Sequence, residues 1–142
     1  MTQQPGHRLT RNQALVFGVL ENTDGPLSAY AILDMLRDEG LKAPLQIYRA
    51  LEKLVDLGLV HRLESLNAFL ACQHPGDHAE GVQHASVAFA ICDTCESVSE
   101  IRDRTLTDDL ARLAAAAGLE LTRSAVELHG KCRDCRARDS AG

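Results

Sequence analysis

Hydrophobic positions in the first 60 residues recur with the period of an α-helix and are separated by helix-ending signals. Three such segments lie within residues 10–58, and glycine or proline follows each of them. Thr10 and Ser28 precede the first two segments and are suitable N-caps, while Gly40 and Gly58 end the second and third. The pattern therefore predicts three helices, the third with a buried face centred on Leu51.

The period changes after the third helix. Two short apolar stretches, residues 59–64 and 67–72, flank a tight connection and predict a β-hairpin, so the N-terminal half has a winged-helix layout. The exposed face of the third helix carries Gln46, Arg49 and Lys53 at i, i+3 and i+7, and all three can donate hydrogen bonds. We expect Arg49 to contact a guanine and Lys53 a phosphate. A solvated polar face is the alternative interpretation.

The hairpin also predicts a metal site. If it turns symmetrically about Leu66 and Asn67, then His61 and Cys72 lie directly opposite each other on one face, with Cβ atoms about 5 Å apart. One metal ion could bind both side chains. For either residue alone, a buried cysteine or a hydrogen-bonded histidine without metal is the alternative.

The segment that follows, QHPGDHAEGVQH, is rich in proline, glycine and histidine. It predicts a hinge at residues 73–83 between an N-terminal domain, residues 1–72, and a second domain, residues 84–142. Its imidazoles could close on the metal of the hairpin, or could belong to an ordinary solvated loop. The histidines concerned are His74, His78 and His84.

Beyond the hinge the pattern is that of an α/β domain. Residues 87–91 alternate as a strand, residues 98–101 are expected to pair with it, and residues 121–128 predict a last strand. A helix lies between them, ended by Gly118, and its apolar stripe is predicted to consist of Leu106, Leu110, Leu113 and Ala117. A unit of about sixty residues has a marginal core unless a metal or a partner subunit stabilises it.

Two CxxC pairs supply such a metal site: Cys92 with Cys95, and Cys132 with Cys135. Four thiolates bind zinc tetrahedrally at about 2.3 Å, which would clip the end of the chain onto the first strands. The 36 residues between the pairs exceed the roughly 15 to 20 of a simple zinc ribbon, so a strand, a helix and a strand must fold between them. A redox-active CxxC and an iron–sulfur cluster are the alternatives.

Composition narrows the class of protein. With 142 residues, 45% of them hydrophobic, and a net charge of −5, the chain is expected to fold. We find neither a signal peptide nor a membrane span in it, and expect a cytoplasmic protein with reduced cysteines. Residues 1–63 carry seven basic and seven acidic side chains, whereas residues 64–142 carry eight and thirteen. This acidity counts against sequence-independent binding of polyanions, but the neutral half can present a local basic stripe.

The order of winged helix, hinge and α/β domain with two CxxC pairs resembles the ferric uptake regulator (Fur) family of metal-responsive repressors. The strings SAYAILDMLRDEG, IYRALEKLVDLGLVHRLESLNAFLAC, FAICDTC and VELHGKC are most similar to its zinc uptake regulator (Zur) branch, over about residues 8–135. The resemblance implies an α+β fold: an N-terminal winged-helix DNA-binding domain followed by a small α/β dimerisation domain with a structural zinc site.

The resemblance also implies roles for individual residues. Tyr48 and Arg49 would lie in the major groove of DNA, and Tyr30 would contact DNA as well. A regulatory zinc would take a histidine and a cysteine from the wing, a histidine after the hinge and a glutamate after the first CxxC. These ligands map to His61, Cys72, His84 and Glu100. With the four-cysteine site this makes two zinc ions per chain.

Three positions depart from the family pattern. Gln46 stands where relatives usually have threonine, which affects the start of the helix or a phosphate contact. His84 lies one residue farther from the first CxxC than in the most similar pattern, so His74 or His78 could be the ligand instead. Ser124 replaces a histidine of iron-sensing relatives, which leaves a third metal site open.

The function implied by the resemblance is zinc-dependent repression. A homodimer joined through its second domains would bind palindromic operator DNA when zinc is bound, and would control genes of zinc uptake. It would be neither an enzyme nor a membrane protein. The alternatives are a sensor of iron, manganese or peroxide within the same family, or a zinc-dependent or thiol redox enzyme. Such an enzyme would need an open coordination position with a general base, or an exposed cysteine of low pKa.

Overall fold

A computed structural model describes residues 8–72, 87–122 and 124–141. The chain divides into two compact units, residues 1–75 and 76–142, and each has its own helices and its own sheet. The predicted hinge, which contains His74 and His78, lies outside the described residues, and so does His84, which follows the hinge. The predicted domain boundaries at residues 72 and 84 therefore stay a prediction.

The first unit consists of three helices followed by a hairpin, as the sequence predicts. Its elements are α1 (Arg11–Glu21), α2 (Ala29–Leu36) with a short 3-10 helix (Arg37–Glu39), α3 (Pro44–Asp56), β1 (Val60–Leu63) and β2 (Ala68–Ala71). The Thr10 hydroxyl accepts a hydrogen bond from the N–H of Gln13, and Ser28 caps α2 in the same way. Gly40 and Gly58 have φ angles of 93° and 77°, which only glycine adopts without strain, so the predicted helix ends are confirmed.

The helices of this unit enclose one hydrophobic core. Val16, Ile32, Ile47 and Leu54 have no exposed surface at all, because the apolar stripes of the three helices face one another. Leu27, just before α2, exchanges two backbone hydrogen bonds with Phe69 of β2 at 2.8 and 2.9 Å. The hairpin is thereby fixed to the helical part of the unit.

The second unit is a three-stranded sheet with two helices. Its elements are β3 (Val87–Cys92), β4 (Val98–Arg102), α4 (Arg104–Ala116), β5 (Val126–Gly130) and α5 (Arg133–Ala141). The strand order is β4-β3-β5, with β3 antiparallel to β4 and parallel to β5. The predicted pairing of residues 98–101 with the first strand is confirmed. Among the described residues, no helix is both long enough and apolar enough to cross a membrane.

Two sequence-based expectations for this unit are wrong in detail. The last strand begins at Val126 rather than at residue 121. The buried stripe of α4 ends at Ala114, four residues after Leu110, whereas Leu113 is 58% exposed. The C-terminal helix α5 has no counterpart among the predicted elements.

Candidate metal centres and DNA-binding surface

Four cysteine sulfurs converge in the second unit, at the end of the sheet where β3 and β5 finish. The Sγ atoms of Cys92 and Cys135 are 3.7 Å apart, as are those of Cys95 and Cys132, and all four lie within 4.8 Å of one another. Parallel pairing of β3 with β5 sets Cys92 beside Gly130, so both CxxC pairs leave the sheet at the same edge. The fold thus assembles the two distant pairs into one cluster.

The spacing of the sulfurs fits zinc. A regular tetrahedron with metal–sulfur bonds of about 2.3 Å has sulfur–sulfur edges of about 3.8 Å. The observed edges of 3.7 Å match this value, and a disulfide would require a sulfur separation of about 2 Å. All five cysteines carry free thiols.

Backbone N–H groups surround one of these sulfurs and favour its ionised form. The N–H groups of Cys95 and Cys132 donate to Cys92 Sγ at 3.5 and 3.4 Å, and they lower the pKa of Cys92 to about 5. Hydrogen bonding with Ser97, whose Oγ is 3.3 Å away, lowers the pKa of Cys95. Hydrogen bonding with Cys132, together with burial, raises the pKa of Cys135 to about 12. Zinc binds cysteine as the thiolate, so metal binding must displace the protons that the ligand thiols carry.

The helix α5 supplies one contact to the cluster that the sequence did not predict. It begins directly after Cys132 and carries Cys135, and the Arg138 guanidinium lies 3.6 Å from Cys135 Sγ. A cation at this distance offsets part of the negative charge of a thiolate cluster. An arginine three residues after a cysteine ligand, on the same helix face, was the sequence signal for this contact.

The predicted pair in the hairpin has a different register from the one expected. His61 pairs with Leu70, and the connection consists of the four residues 64–67, so the symmetric turn about Leu66 and Asn67 is wrong. The N–H of Cys72 donates to Leu59 O at 2.8 Å, which sets Cys72 two residues beyond the partner of His61. The two side chains are therefore diagonal neighbours rather than directly opposite.

Diagonal placement still keeps the pair on one face, because residues two apart on a strand point the same way. The ligand atoms of His61 and Cys72 lie within 4.8 Å of each other, with Cys72 buried and His61 half-buried. Both are atom types that bind zinc, at bond lengths of about 2.0 to 2.3 Å.

The other two predicted ligands of this site belong to later parts of the chain. Glu100 lies in β4, across from Phe89, and its carboxylate accepts a hydrogen bond from Arg102 Nε at 3.2 Å. Carboxylate oxygens are among the ligands that zinc takes in proteins. His84 lies outside the described residues. The assignment of these residues as zinc ligands stays a prediction.

Four of the five predicted DNA-binding side chains are exposed on the first unit. Arg49 and Lys53 lie one turn apart on the solvent face of α3, opposite the buried Ile47 and Leu51. An open cleft of about 290 Å³ adjoins this face and is lined by Thr10, Asn12, Gln13, Gln46, Arg49 and Ala50. Hydroxyl, amide and guanidinium groups together suit a phosphate. Sequence reasoning missed Asn12 and Gln13, although both are polar residues in the first turn of α1.

Gln46 has a structural role that its place in the polar stripe did not reveal. Its Oε1 accepts hydrogen bonds from the N–H groups of Lys42 and Ala43 at 3.1 and 3.2 Å. Ala43, the N-cap residue of α3, has no side-chain acceptor of its own. The glutamine side chain therefore closes the start of α3 by reaching back over it.

The two tyrosines differ in exposure. Tyr30 is 62% exposed on α2, whereas Tyr48 is half-buried and packs against the core. Tyr30 is thus open to a ligand, and Tyr48 can offer only part of its side chain. DNA contact by either residue stays a prediction.

Comparison with known proteins gives one consistent family. Residues 4–129 match the sequence model of the ferric uptake regulator family. The zinc uptake regulation protein of Escherichia coli K12 is 38% identical over 129 residues, covering 90% of this chain and 72% of that protein. The zinc uptake regulation protein of Mycobacterium tuberculosis H37Rv is 29% identical over 133 residues, covering 93% of this chain and 97% of that protein.

Solved structures agree with the sequence comparison. A zinc uptake regulator complexed with zinc and DNA has a TM-score of 0.83 and 33% identity, covering 96% of this chain and 88% of that one. The crystal structure of holo XcZur has a TM-score of 0.80 and 40% identity, covering 93% of this chain and 89% of that one. The α+β fold class predicted from the sequence is confirmed.

Proposed function

The chain belongs to the ferric uptake regulator family, and we propose that it is a zinc-responsive transcriptional repressor that binds palindromic operator DNA as a homodimer. The observation that carries the proposal is the likeness to a regulator complexed with both zinc and DNA, which extends over 96% of this chain. A match to one domain alone would not support the proposed function, because a zinc-responsive repressor must bind both zinc and DNA with the same chain.

DNA recognition is assigned to α3 and its surroundings. Arg49 contacts a guanine, Lys53 contacts a phosphate, and Tyr48 enters the groove beside them. Tyr30, on α2, and Gln46, through its N–H groups, make further contacts. The exposure of Arg49, Lys53 and Tyr30 supports these roles.

Structural zinc is assigned to the four-cysteine cluster. All four positions of the tetrahedron are taken by protein sulfurs, so the site has no open position for a substrate. This closed geometry supports a stabilising role for the metal and speaks against a zinc-dependent enzyme. Because the cluster joins the ends of β3 and β5, we expect the second unit to depend on it for folding.

Regulatory zinc is assigned to His61, Cys72, His84 and Glu100, with His74 or His78 as the alternative to His84. The closeness of His61 to Cys72 supports the hairpin half of this site. These ligands belong to both domains, so an ion shared by them fixes the wing relative to the second domain across residues 73–83. The spacing of the two recognition helices in a dimer then matches a palindromic operator. A thiolate among the ligands favours zinc over manganese or iron(II).

Dimerisation is assigned to the second domain. Large apolar side chains of this unit are between 39% and 62% exposed: Ile101, Leu113, Leu119, Leu121 and Leu128. The exposure of these five side chains supports association through this unit. We expect the dimer to act in the cytoplasm, where operator DNA and reduced thiols coexist, and to control zinc uptake genes.

Titration of operator binding against metal tests the proposal. The operator is selected from random DNA with zinc-loaded protein, and binding is followed by fluorescence anisotropy in metal-buffered solutions of zinc, iron(II) and manganese(II). Zinc at buffered trace concentration should tighten binding by at least tenfold, and the other two metals should not. Equal affinity with zinc and with chelator would refute the proposal.

A further inference from the structure

The first turn of α3 exposes a leucine where every other large aliphatic side chain of the helix faces inward or is partly covered. Leu45 is 57% exposed, whereas Ile47, Leu51 and Leu54 are at most 1% exposed. A single exposed leucine on a protein surface is ordinary. Leu45, however, lies four residues before Arg49 and thus on the same face, at the end of the helix that contacts base edges when such a helix enters the major groove.

The neighbouring Gln46 offers only donors to a ligand. Two backbone N–H groups point at the same amide atom, which must therefore be the oxygen, and they occupy both of its lone pairs. The exposed side chain then has the N–H donors of Nε2 left for a ligand. A glutamine bound to adenine needs one acceptor and one donor at once, so Gln46 cannot recognise adenine in that way while it caps the helix.

One apolar group beside one donor complements a particular base. Thymine displays the O4 acceptor and the C5-methyl group side by side in the major groove, and no other base presents this pair. We infer that the first turn of α3 recognises a thymine in each half-site, with Leu45 on the C5-methyl group and Gln46 Nε2 donating to O4. This assignment rests on the proposed DNA-binding function. It predicts that the protein prefers operators in which a thymine lies close to the guanine contacted by Arg49.

Base analogues separate the two contacts. In the selected operator, each thymine is replaced in turn by uracil, which lacks only the methyl group. At one position per half-site the wild-type protein should lose affinity about fourfold for each methyl removed, as for the burial of one methyl-sized group. Leu45→Ala should bind the unmodified operator more weakly and show no further loss with uracil. Met35→Ala, which truncates a side chain that is 56% exposed on α2, should retain the wild-type uracil effect.

Exchange of the thymine–adenine pair for 5-methylcytosine–guanine tests Gln46, because at this base the methyl group stays and the O4 acceptor becomes an N4 donor. Wild-type protein and Leu45→Ala should both bind this operator several-fold more weakly. Gln46→Glu keeps an oxygen for the helix cap and provides a second oxygen that accepts from N4, so it should prefer 5-methylcytosine. Circular dichroism and zinc content show that each variant is folded.

The possible failures are distinguishable. The inference would be overturned if uracil left the affinity unchanged at every thymine position. It would also be overturned if uracil reduced the affinity of wild type and of Leu45→Ala equally. Binding that ignores chelator but keeps the uracil pattern would refute zinc response and support the thymine contact. A protein that selects no DNA sequence at all would overturn both.

Discussion

Replacement of Gln46 by alanine should destabilise the first unit by about 0.7 kcal/mol. The substitution removes two hydrogen bonds, of 3.1 and 3.2 Å, to the N–H groups of Lys42 and Ala43. A hydrogen bond contributes about 0.5 to 1.5 kcal/mol net, and these lie at the exposed surface, where the lower end applies. Alanine recovers a few tenths of a kcal/mol through its helix propensity. The net value agrees with the cost of about 1 kcal/mol that is typical of a lost helix cap.

The chain contains a natural probe for this measurement. It has no tryptophan, and both of its tyrosines, Tyr30 and Tyr48, lie in the first unit. Tyrosine fluorescence during urea unfolding, with zinc in excess, therefore follows this unit alone. In a thermal scan followed by the same signal, the melting temperature should fall by about 5 °C.

Gln46→Glu is the matched control, because its carboxylate keeps an acceptor at the start of the helix, where the helix dipole favours negative charge. It should be at least as stable as wild type at neutral pH. Equal destabilisation of the Gln46→Ala and Gln46→Glu variants, or a loss below about 0.3 kcal/mol in Gln46→Ala, would show that the two hydrogen bonds do not hold the start of α3.

Three further substitutions distinguish the proposed zinc sites. Cys72→Ser should leave a folded dimer with its structural zinc, as measured by sedimentation and metal analysis, while zinc no longer tightens operator binding. Cys95→Ser should lose one zinc per chain and the folded second unit, because structural zinc contributes on the order of 10 kcal/mol to folding; if it behaves like Cys72→Ser, the division into two kinds of site is wrong. Arg138→Gln should release structural zinc to a colorimetric chelator several-fold faster, since it removes the guanidinium 3.6 Å from Cys135 Sγ, whereas Arg136→Gln should not.

Most of the first unit could be predicted from the sequence because its signals are local. Thr10 and Ser28 stand immediately before their helices, and Gly40 and Gly58 occupy backbone conformations that demand glycine. The hairpin register could not be predicted in the same way. All the residues of β2 are apolar and the first three are buried, so no alternation fixes the register, and Asn67 takes a positive φ of 48° in a four-residue connection.

In the second unit, the four-cysteine cluster was predictable because the CxxC spacing leaves few other uses for four thiols. The position of the last strand was not, since Leu121 continues the strand-like alternation yet remains 39% exposed outside β5. Leu113 and Ala114 both fit a helical stripe that starts at Leu106. Which of the two is buried depends on the side from which the helix is packed, and the sequence pattern does not specify that side. The predicted regulatory site required the family resemblance, because its ligands are far apart in sequence and share no local motif.

Parallel pairing of β3 with β5 has a consequence for how the protein is made. A ribosome must add some forty residues after Cys92 before Cys132 exists, and until then a nascent chain holds only half of the thiols of the four-cysteine cluster. Two thiolates hold zinc weakly, so capture waits until β5 has been synthesised and has docked. The first unit, whose contacts are local, can fold while the rest is still being translated. Assembly of the four-thiol cluster is therefore a late event in the synthesis of residues 1–142, and a chain stalled before Cys132 cannot complete it.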